Sequence, residues 1–395
     1  MFSLAVAMGI GRFAFTPLLP MMLADGVTDL PAASWLASAN YLGYLVGALL
    51  CTFQPWLYQK LGSLPPVKGP ALVRGGLAAT VVLTLGMALP LPAAWPGLRF
   101  AAGMASAVVF IYTSGWCLTH LARLQVPAMG AVIYTGPGGG IVLSGLAASG
   151  MVVLHWSAAT GWLIFGILAA VLTAVVWPVF SPRNELTVAA TAEASAARQD
   201  AARPHGGAEI ALLAVAYGLA GFGYIITATF LPVIARQALP GSPWLDMFWP
   251  ILGLGVIAGA LIASRLRITG DLRLLLAACY VVQALGIAAG LVSPSLAGFA
   301  LGSLLLGLPF TAITFFAMQE VRRLQPAQAS SLMGLLTAMY GLGQIAGPPL
   351  AAALLARSRT PGEGFTLALQ IALAALAAGA AVYGVMARVY PLKRS

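Results

Sequence analysis

Charged residues are scarce in this chain. Only 8% of its 395 residues are Asp, Glu, Lys or Arg, whereas 60% are hydrophobic and the mean hydropathy is +0.94. Soluble domains are roughly one quarter charged, so a globular protein of this composition would lack the polar groups needed to cover its surface. The composition therefore excludes a soluble domain and indicates a chain that lies mostly in lipid.

Cysteine and histidine are also rare, with three residues of each. Cys51, Cys117 and Cys279 lie far apart in apolar segments, and the histidines have no ligand-like spacing. We therefore expect no disulfide framework, no metal site and no cofactor. Catalysis inside a membrane would need clustered His, Cys or carboxylate side chains, so we also expect that the protein is not an enzyme.

Long apolar runs dominate what the chain does contain. A bilayer core takes about 20 apolar residues as a helix, and backbone polar groups in hydrocarbon must be paired within the segment or in a closed barrel. Runs of this length without period-2 alternation predict helices. We predict an all-α integral membrane protein with twelve spans, at about 1–24, 34–58, 71–91, 96–119, 128–153, 158–180, 209–235, 244–264, 273–292, 295–318, 330–355 and 365–387.

Residues 181–208 interrupt the apolar pattern. They are small, polar and charged, and they are too weakly apolar to span a membrane. This composition predicts a linker between a first six-helix bundle at 1–180 and a second at 209–395. The outermost spans almost reach the chain ends, so we expect no attached soluble domain.

Basic residues indicate the orientation, because cytoplasmic loops carry an excess of Lys and Arg. Fifteen of the 20 fall on the side that would hold the linker and both termini. These are Lys60, Lys68, Arg74, Arg123, Arg183, Arg198, Arg203, Arg265, Arg267, Arg273, Arg322, Arg323, Arg388, Lys393 and Arg394. The net charge of +10 therefore indicates cytoplasmic termini and not a nucleic-acid-binding surface.

The two six-span parts resemble copies of each other. A shift of 212 residues superposes several glycines and one proline, and a shift of 211 superposes a Gly-Pro pair. The pairs are Gly9 and Gly221, Gly11 and Gly223, Pro20 and Pro232, Gly43 and Gly255, Gly47 and Gly259, and Gly136-Pro137 with Gly347-Pro348. A duplicated six-plus-six membrane protein is the architecture of transporters that rock two halves about a midplane site.

The first span contains "GIGRFAFTPLLP" at residues 9–20. The duplicated architecture resembles the major facilitator superfamily over the whole chain, and this segment resembles the opening signature of its YbfB/YjiJ-type bacterial branch. The resemblance implies two pseudo-symmetric six-helix bundles, alternating access, a cavity lined by helices 1, 4, 7 and 10, and a location in the bacterial inner membrane. It implies no particular substrate. We expect a monomer whose partners are the bilayer and a small molecule.

Arg12 lies about midway along the first span. A guanidinium there costs at least about 2.5–3.5 kcal/mol on insertion scales. It either snorkels or caps carbonyls at a helix break, or it faces a central cavity and binds an anion through charge-assisted hydrogen bonds. We favour the second, because Gly9 and Gly11 loosen the helix, Thr16 shares the face of Arg12, and residues 30–184 contain no acid to neutralise it.

The acids of the second half bear on energy coupling. Glu209, Asp246, Asp271 and Glu320 lie at span ends or in loops, whereas proton-driven transporters usually carry protons on carboxylates buried in the spans. We therefore expect no proton symport through a core acid. Because an inside-negative potential drives an anion outward by about 2.3 kcal/mol per charge per 100 mV, export or exchange by an antiporter is favoured.

Other polar residues of the spans are candidates to complete a pocket around Arg12 and Thr16. Under the 212-residue shift Tyr224 corresponds to Arg12, and Thr227 lies one turn further on. For each candidate, interhelical hydrogen bonding or an interfacial position is the alternative. The other candidates are Asn40 and Tyr44 in the second span, Tyr112 in the fourth, Tyr134 in the fifth, and Tyr340 and Gln344 in the eleventh. Arg99, near the outer end of the fourth span, is expected to snorkel to the headgroups, and guiding an anion is the alternative.

Several residues are candidates for gating, together with Gly9 and Gly11. "YTGPGGGIVLSG" in the fifth span resembles the antiporter motif of the superfamily, and its Gly136 and Pro137 predict a kink, as do Gly347 and Pro348 in the eleventh. A packing kink without a role in exchange is the alternative. The superfamily's loop between helices 2 and 3 usually carries an aspartate, which is absent here. Asp271 in "SRLRITGDLR", the corresponding loop of the second half, is the candidate charge latch.

We therefore predict a secondary active permease that moves a small organic anion. Uptake of a neutral or amphipathic solute is an alternative that the sequence leaves open. A receptor that kept the fold without transporting is another, although neither the linker nor the tail supplies a signalling domain.

Overall fold

The structure is a computed structural model that describes residues 1–61, 69–124, 127–180, 207–242, 244–266, 270–324 and 329–391. These residues form helices and connecting turns, and no β-strand occurs among them. Within these residues, eleven helices are long and apolar enough to cross a membrane. The twelfth predicted span is the helix Ala329–Arg357, which is 29 residues long but carries Gln344 and two prolines in its middle. The predicted fold class is therefore confirmed.

We number the twelve spans α1–α12. They are α1 (Phe2–Ala24), α2 (Leu30–Leu61), α3 (Gly69–Gly86), α4 (Trp95–Arg123), α5 (Thr135–Val153), α6 (Ala158–Val176), α7 (Gly207–Ala238), α8 (Phe248–Arg265), α9 (Leu272–Val292), α10 (Leu296–Gly307 continued by Phe310–Leu324), α11 (Ala329–Arg357) and α12 (Pro361–Val389). Short 3₁₀ segments precede or follow four of them: Pro92–Ala94, Pro127–Tyr134, Trp177–Phe180 and Leu245–Met247.

Most differences from the predicted spans concern helix ends. The helices α2, α4 and α12 extend beyond the apolar run, because a helix continues past the hydrocarbon where polar residues can still pair their backbone groups. Of the predicted linker at 181–208, residues 181–206 lie outside the described residues, and α7 begins at Gly207. The division into two domains around this linker stays a prediction.

The repeat is visible in the helix packing. A Cβ atom on Gly43 of α2 would overlap the backbone carbonyl of Phe100 in α4, and a Cβ atom on Gly255 of α8 would overlap that of Leu304 in α10. The two pairs are made by the same helices of each half. Both contacts need glycine, since only a residue without a side chain lets two helix backbones approach so closely.

The two halves meet along two pairs of helices, α2 with α11 and α5 with α8, and α1 also contacts α7 through its segment Phe15–Ala24. Gly138 of α5, for example, lies against the backbone of Gly253 in α8. We call the side on which α1 begins the termini side, because α7 also begins there and α12 ends there. The opposite side is the far side. The centre of the molecule thus lies between α1, α2, α7 and α11.

Candidate substrate-binding site

The first helix is broken at its middle. Ala5–Ile10 form a π-helix, residues 11–14 form turns, and the α-helix resumes at Phe15. Pro17 explains the position of this break, because it has no N–H group for the carbonyl of Phe13 and its ring crowds that carbonyl. Short π-helical segments inside α-helices are frequent at functional sites. The break opens the α1 backbone next to Arg12.

Arg99 of α4 closes this break. Its guanidinium donates to the carbonyls of Gly11 (3.2 Å) and Arg12 (3.1 Å) and lies over the ring of Phe15 (5.0 Å). Asn40 of α2 donates from Nδ2 to the backbone carbonyl of Arg99 (2.9 Å) and so joins α2 to α4 at Arg99. Arg99 is only 2% exposed, so the expectation that it snorkels to the headgroups is wrong. The open carbonyls hold it inside the protein, and the Arg12 side chain is left for another purpose.

The side chain of Arg12 lies between the two halves. Its Nη2 donates to Oε1 of Gln344 in α11 (2.6 Å), and its guanidinium lies over the ring of Tyr44 in α2 (4.0 Å). Arg12 is 3% exposed, and its Nε is buried without a hydrogen-bond partner. No ion pair joins Arg12 to an acid within the described ranges. The centre therefore holds a buried positive charge whose Nε–H group has no acceptor.

Aromatic rings surround this charge. The Nε2 atom of Gln344 donates to the hydroxyl of Tyr224. The Gln344 amide therefore bridges Arg12 and Tyr224, the residue that corresponds to Arg12 in the repeat. The ring of Tyr340 stacks on Tyr224 (5.8 Å between centroids), and Phe310 meets Tyr224 edge-on (5.0 Å). We call Arg12, Tyr44, Tyr224, Tyr340 and Gln344 the Arg12 cluster. It combines one cation with an amide, three phenols and apolar ring faces.

The Arg12 cluster is closed on the far side. The hydroxyl of Thr16 donates to the carbonyl of Ala228 (2.8 Å), and Tyr41 shares a hydrogen bond with Thr229 (2.8 Å). Thr16 and Ala228 are 212 residues apart, so equivalent positions of the two halves touch. Tyr44 and Tyr340 lie nearer to the termini side and are half-buried. The cluster is therefore less completely buried towards the termini side than towards the far side.

Comparison with known proteins agrees with this architecture. The family described as "Uncharacterised MFS-type transporter YbfB" matches residues 4–386. The chain belongs to this family. Among solved structures, the nucleoside transporter NupG is similar, with a TM-score of 0.69, 14% sequence identity and 98% of each chain covered. At this identity the likeness shows the fold alone. No curated protein matches the sequence.

The family and the fold make this protein a membrane transporter of the major facilitator superfamily. The predicted resemblance is thereby confirmed, and so is the expected small-molecule cargo in its general form.

The structure places five predicted pocket residues of the transporter outside the Arg12 cluster. Thr16 and Asn40 bond to backbone carbonyls, as described above, and the other three are Thr227, Tyr112 and Tyr134. Thr227 of α7 lines a cavity of ≈ 20 Å³ inside the second half, and its hydroxyl is buried without a hydrogen-bond partner. Tyr112 donates to Gln54, towards the termini side of α4 and α2. The ring of Tyr134 packs against Phe110 (6.0 Å). Their contact with substrate stays a prediction.

The predicted kinks differ between the halves. In the first half, the backbone changes from a 3₁₀ segment to α5 at Thr135, and Pro137 lies in the first turn of α5, where its missing N–H group costs nothing. In the second half, α11 continues through Pro348. Gly136 packs against the carbonyl of Met1 and Gly347 against Ile225, so both glycines serve close packing, and their part in gating stays a prediction.

Asp271 belongs to a buried ion network on the termini side. Arg273 pairs with Asp271 (2.8 Å) and Glu209 (3.0 Å), and Arg323 pairs with Glu320 (2.6 Å). Burial alone would raise the pKa of Asp271, but its hydrogen bonds to Arg273 and the positive charges of Arg273 and Arg323 hold that pKa below its usual value. These partners all lie in the second half. The network thus ties α7, α9 and α10 together, and an Asp271 latch between the halves stays a prediction.

Sequence reasoning missed the burial of two of these acids. Glu209 and Glu320 lie at span ends, as expected, but they are 2% and 0% exposed. The signal was the nearby arginines, since a carboxylate is buried in a protein only with a partner. Both acids belong to the ion network of the second half and not to the Arg12 cluster.

Proposed function

We propose that this transporter moves a small organic anion by alternating access and that Arg12 binds the negative charge of the substrate. The observation that carries the proposal is the environment of Arg12: it is buried, it touches a neutral amide and aromatic rings, and its Nε has no partner. A buried charge without an opposite charge is unfavourable. A bound anion would supply the missing charge at the contact between the halves.

The walls of the site suggest the shape of the substrate. The half-buried ring of Tyr44 lies against the guanidinium, and the half-buried rings of Tyr340 and Phe310 pack against Tyr224. A planar apolar body stacks on such rings, while a carboxylate accepts hydrogen bonds from the arginine. Aromatic monocarboxylates combine both properties, and benzoate is the simplest of them.

Export or exchange is the direction that we propose. An inside-negative potential favours outward movement of an anion by about 2.3 kcal/mol per charge per 100 mV. Basic residues favour cytoplasmic termini, which would make the termini side cytoplasmic and the site accessible from within the cell. We further propose a bacterial inner-membrane location and a monomer. A fluorescent fusion of green fluorescent protein after Ser395, together with an inactive fusion of alkaline phosphatase at the same place, would support cytoplasmic termini. An active phosphatase fusion and a dark fluorescent-protein fusion would contradict them.

Binding of benzoate to the purified transporter tests the proposal. We expect benzoate to raise the midpoint of thermal unfolding of the wild type, and the neutral analogue benzamide to do so much less. Arg12→Gln removes the charge-assisted hydrogen bonds and should lower benzoate affinity about tenfold to a hundredfold. Arg357→Gln removes the same charge from an exposed position and should bind benzoate as the wild type does.

Equal binding of benzoate and benzamide, or unchanged binding by Arg12→Gln, would contradict an anionic substrate. Equal binding would favour the alternative, uptake of a neutral or amphipathic solute, because the aromatic rings of the site can also bind such a molecule. Proteoliposomes separate a transporter from a receptor of the same fold, because only a transporter exchanges labelled benzoate across the bilayer. We also propose that the protein is not an enzyme, so the benzoate recovered after exchange should be chemically unchanged.

A further inference from the structure

Gln344 is bonded to Nη2 of Arg12, a nitrogen that an anion would also use. Its Oε1 accepts from Nη2 of Arg12 (2.6 Å), and its Nε2 donates to the hydroxyl of Tyr224. Gln344 is 1% exposed, so water does not compete for these groups. Both polar atoms of this amide are therefore committed to the site.

The amide satisfies only part of the guanidinium. Nε and Nη2 form one edge of Arg12, and a carboxylate can accept from both atoms of such an edge at once. The Gln344 oxygen takes Nη2, while Nε is buried and unpartnered. A carboxylate would add the second hydrogen bond and an opposite charge. It would therefore compete with the neutral amide for Nη2.

We infer that Gln344 is a displaceable stand-in for the anionic group of the substrate. This inference rests on the proposed function. In the structure Gln344 holds Arg12 and so joins α1 of the first half to α11 of the second. When the substrate carboxylate takes the Nε–Nη2 edge, this bond between the halves is exchanged for a bond to the substrate. Substrate binding is thereby coupled to the contact that must change when the halves rock.

Two substitutions test this role in the full-length protein. Gln344→Glu has almost the same shape and provides a permanent counter-charge, so it should raise the midpoint of thermal unfolding without ligand and lower benzoate affinity at least about tenfold. Gln344→Leu removes the competing acceptor, so it should lower that midpoint and raise benzoate affinity several-fold. Gln283→Glu is the matched control, because Gln283 is also a buried amide of the second half but bonds to the carbonyl of Leu306. The benzoate affinity of Gln283→Glu should stay near that of the wild type.

Wild-type affinity in Gln344→Glu, or weaker binding in Gln344→Leu, would overturn the stand-in role. Weaker binding in Gln344→Leu would mean that the amide contacts the substrate and does not compete with it. The Arg12→Gln variant separates this failure from that of the proposed function. If Arg12→Gln loses benzoate while Gln344→Glu retains it, only the stand-in role fails. If the wild type does not bind benzoate, or Arg12→Gln retains it, both proposals fail.

Discussion

Replacing Arg99 by methionine should damage the substrate site without removing any group that touches the substrate. Methionine has a similar length and is apolar, so the space around Arg99 stays filled. The guanidinium, however, is what satisfies the carbonyls of Gly11 and Arg12 at the break in α1 (3.2 and 3.1 Å). The substitution therefore tests whether Arg99 positions the backbone from which Arg12 projects.

The size of the effect follows from these two contacts. Each buried carbonyl left without a partner costs about 1–3 kcal/mol. Removing the arginine also removes a charge that is buried without an acid, which offsets part of this cost. We therefore expect a net loss of about 2–4 kcal/mol in the free energy of unfolding. Because Arg12 moves with its backbone, benzoate affinity should fall about tenfold, which corresponds to one charge-assisted hydrogen bond.

Thermal unfolding of the purified proteins, with and without benzoate, measures both effects. Arg74→Met is the matched control, because the Arg74 guanidinium also binds a backbone carbonyl, that of Trp177 (2.9 and 3.1 Å), but at an exposed position. There water replaces the lost partner, so the cost should stay below about 1 kcal/mol and benzoate binding should not change. If Arg99→Met behaves like Arg74→Met in both measurements, the break in α1 does not depend on Arg99.

Three further predictions concern packing, pH and membrane potential. Gly9→Ala should destabilise the transporter by about 1–3 kcal/mol, because a Cβ atom there would overlap the backbone of Gly140. A Cβ atom on Gly139 meets open space, so Gly139→Ala should unfold like the wild type. Equal melting of the two variants would contradict the close contact of α1 with α5. The pKa of Asp271 is lowered in the folded state, so its stabilisation is complete above the unfolded-state pKa of about 3.9 and is lost as pH falls through the lower folded value. The advantage of the wild type over Asp271→Asn in thermal unfolding should thus be constant near neutral pH and shrink below about pH 4, and an advantage that grows on acidification would refute the ion pairing. A potassium diffusion potential, negative inside, should speed net benzoate efflux from proteoliposomes and slow net uptake. The driving force on the anion is about 2.3 kcal/mol per charge per 100 mV. Net flux that does not change with the potential would argue against export of an anion.

The spans and the repeat are within reach of sequence reasoning because each depends on local properties. A membrane helix needs a long apolar run, and a close helix contact needs a glycine at a fixed position. Gly43 and Gly255 show this, since both mark the same backbone contact in the two halves. The importance of Arg12 is also visible in the sequence, because a charge inside an apolar run is costly.

The partners of Arg12 depend on packing that the sequence does not display. Gln344 is 332 residues from Arg12 and was one of many polar candidates. Thr227 is one turn from Tyr224, but an offset of about 60° around α7 is enough to place it against the cavity inside the second half. Arg99 shows the same limit, because its position near a span end predicts snorkelling unless the break in α1 is known. Pro17 is the signal that predicts this break.

The central claim is that Arg12 provides the charge that binds the substrate. Exchange of labelled benzoate by proteoliposomes containing the wild type, Arg12→Gln or Arg357→Gln tests it most directly. We predict rapid exchange by the wild type and by Arg357→Gln, a loss of about tenfold or more in Arg12→Gln, and little transport of benzamide by any of them. Exchange by Arg12→Gln at the wild-type rate, or transport of benzamide as fast as benzoate, would contradict the claim.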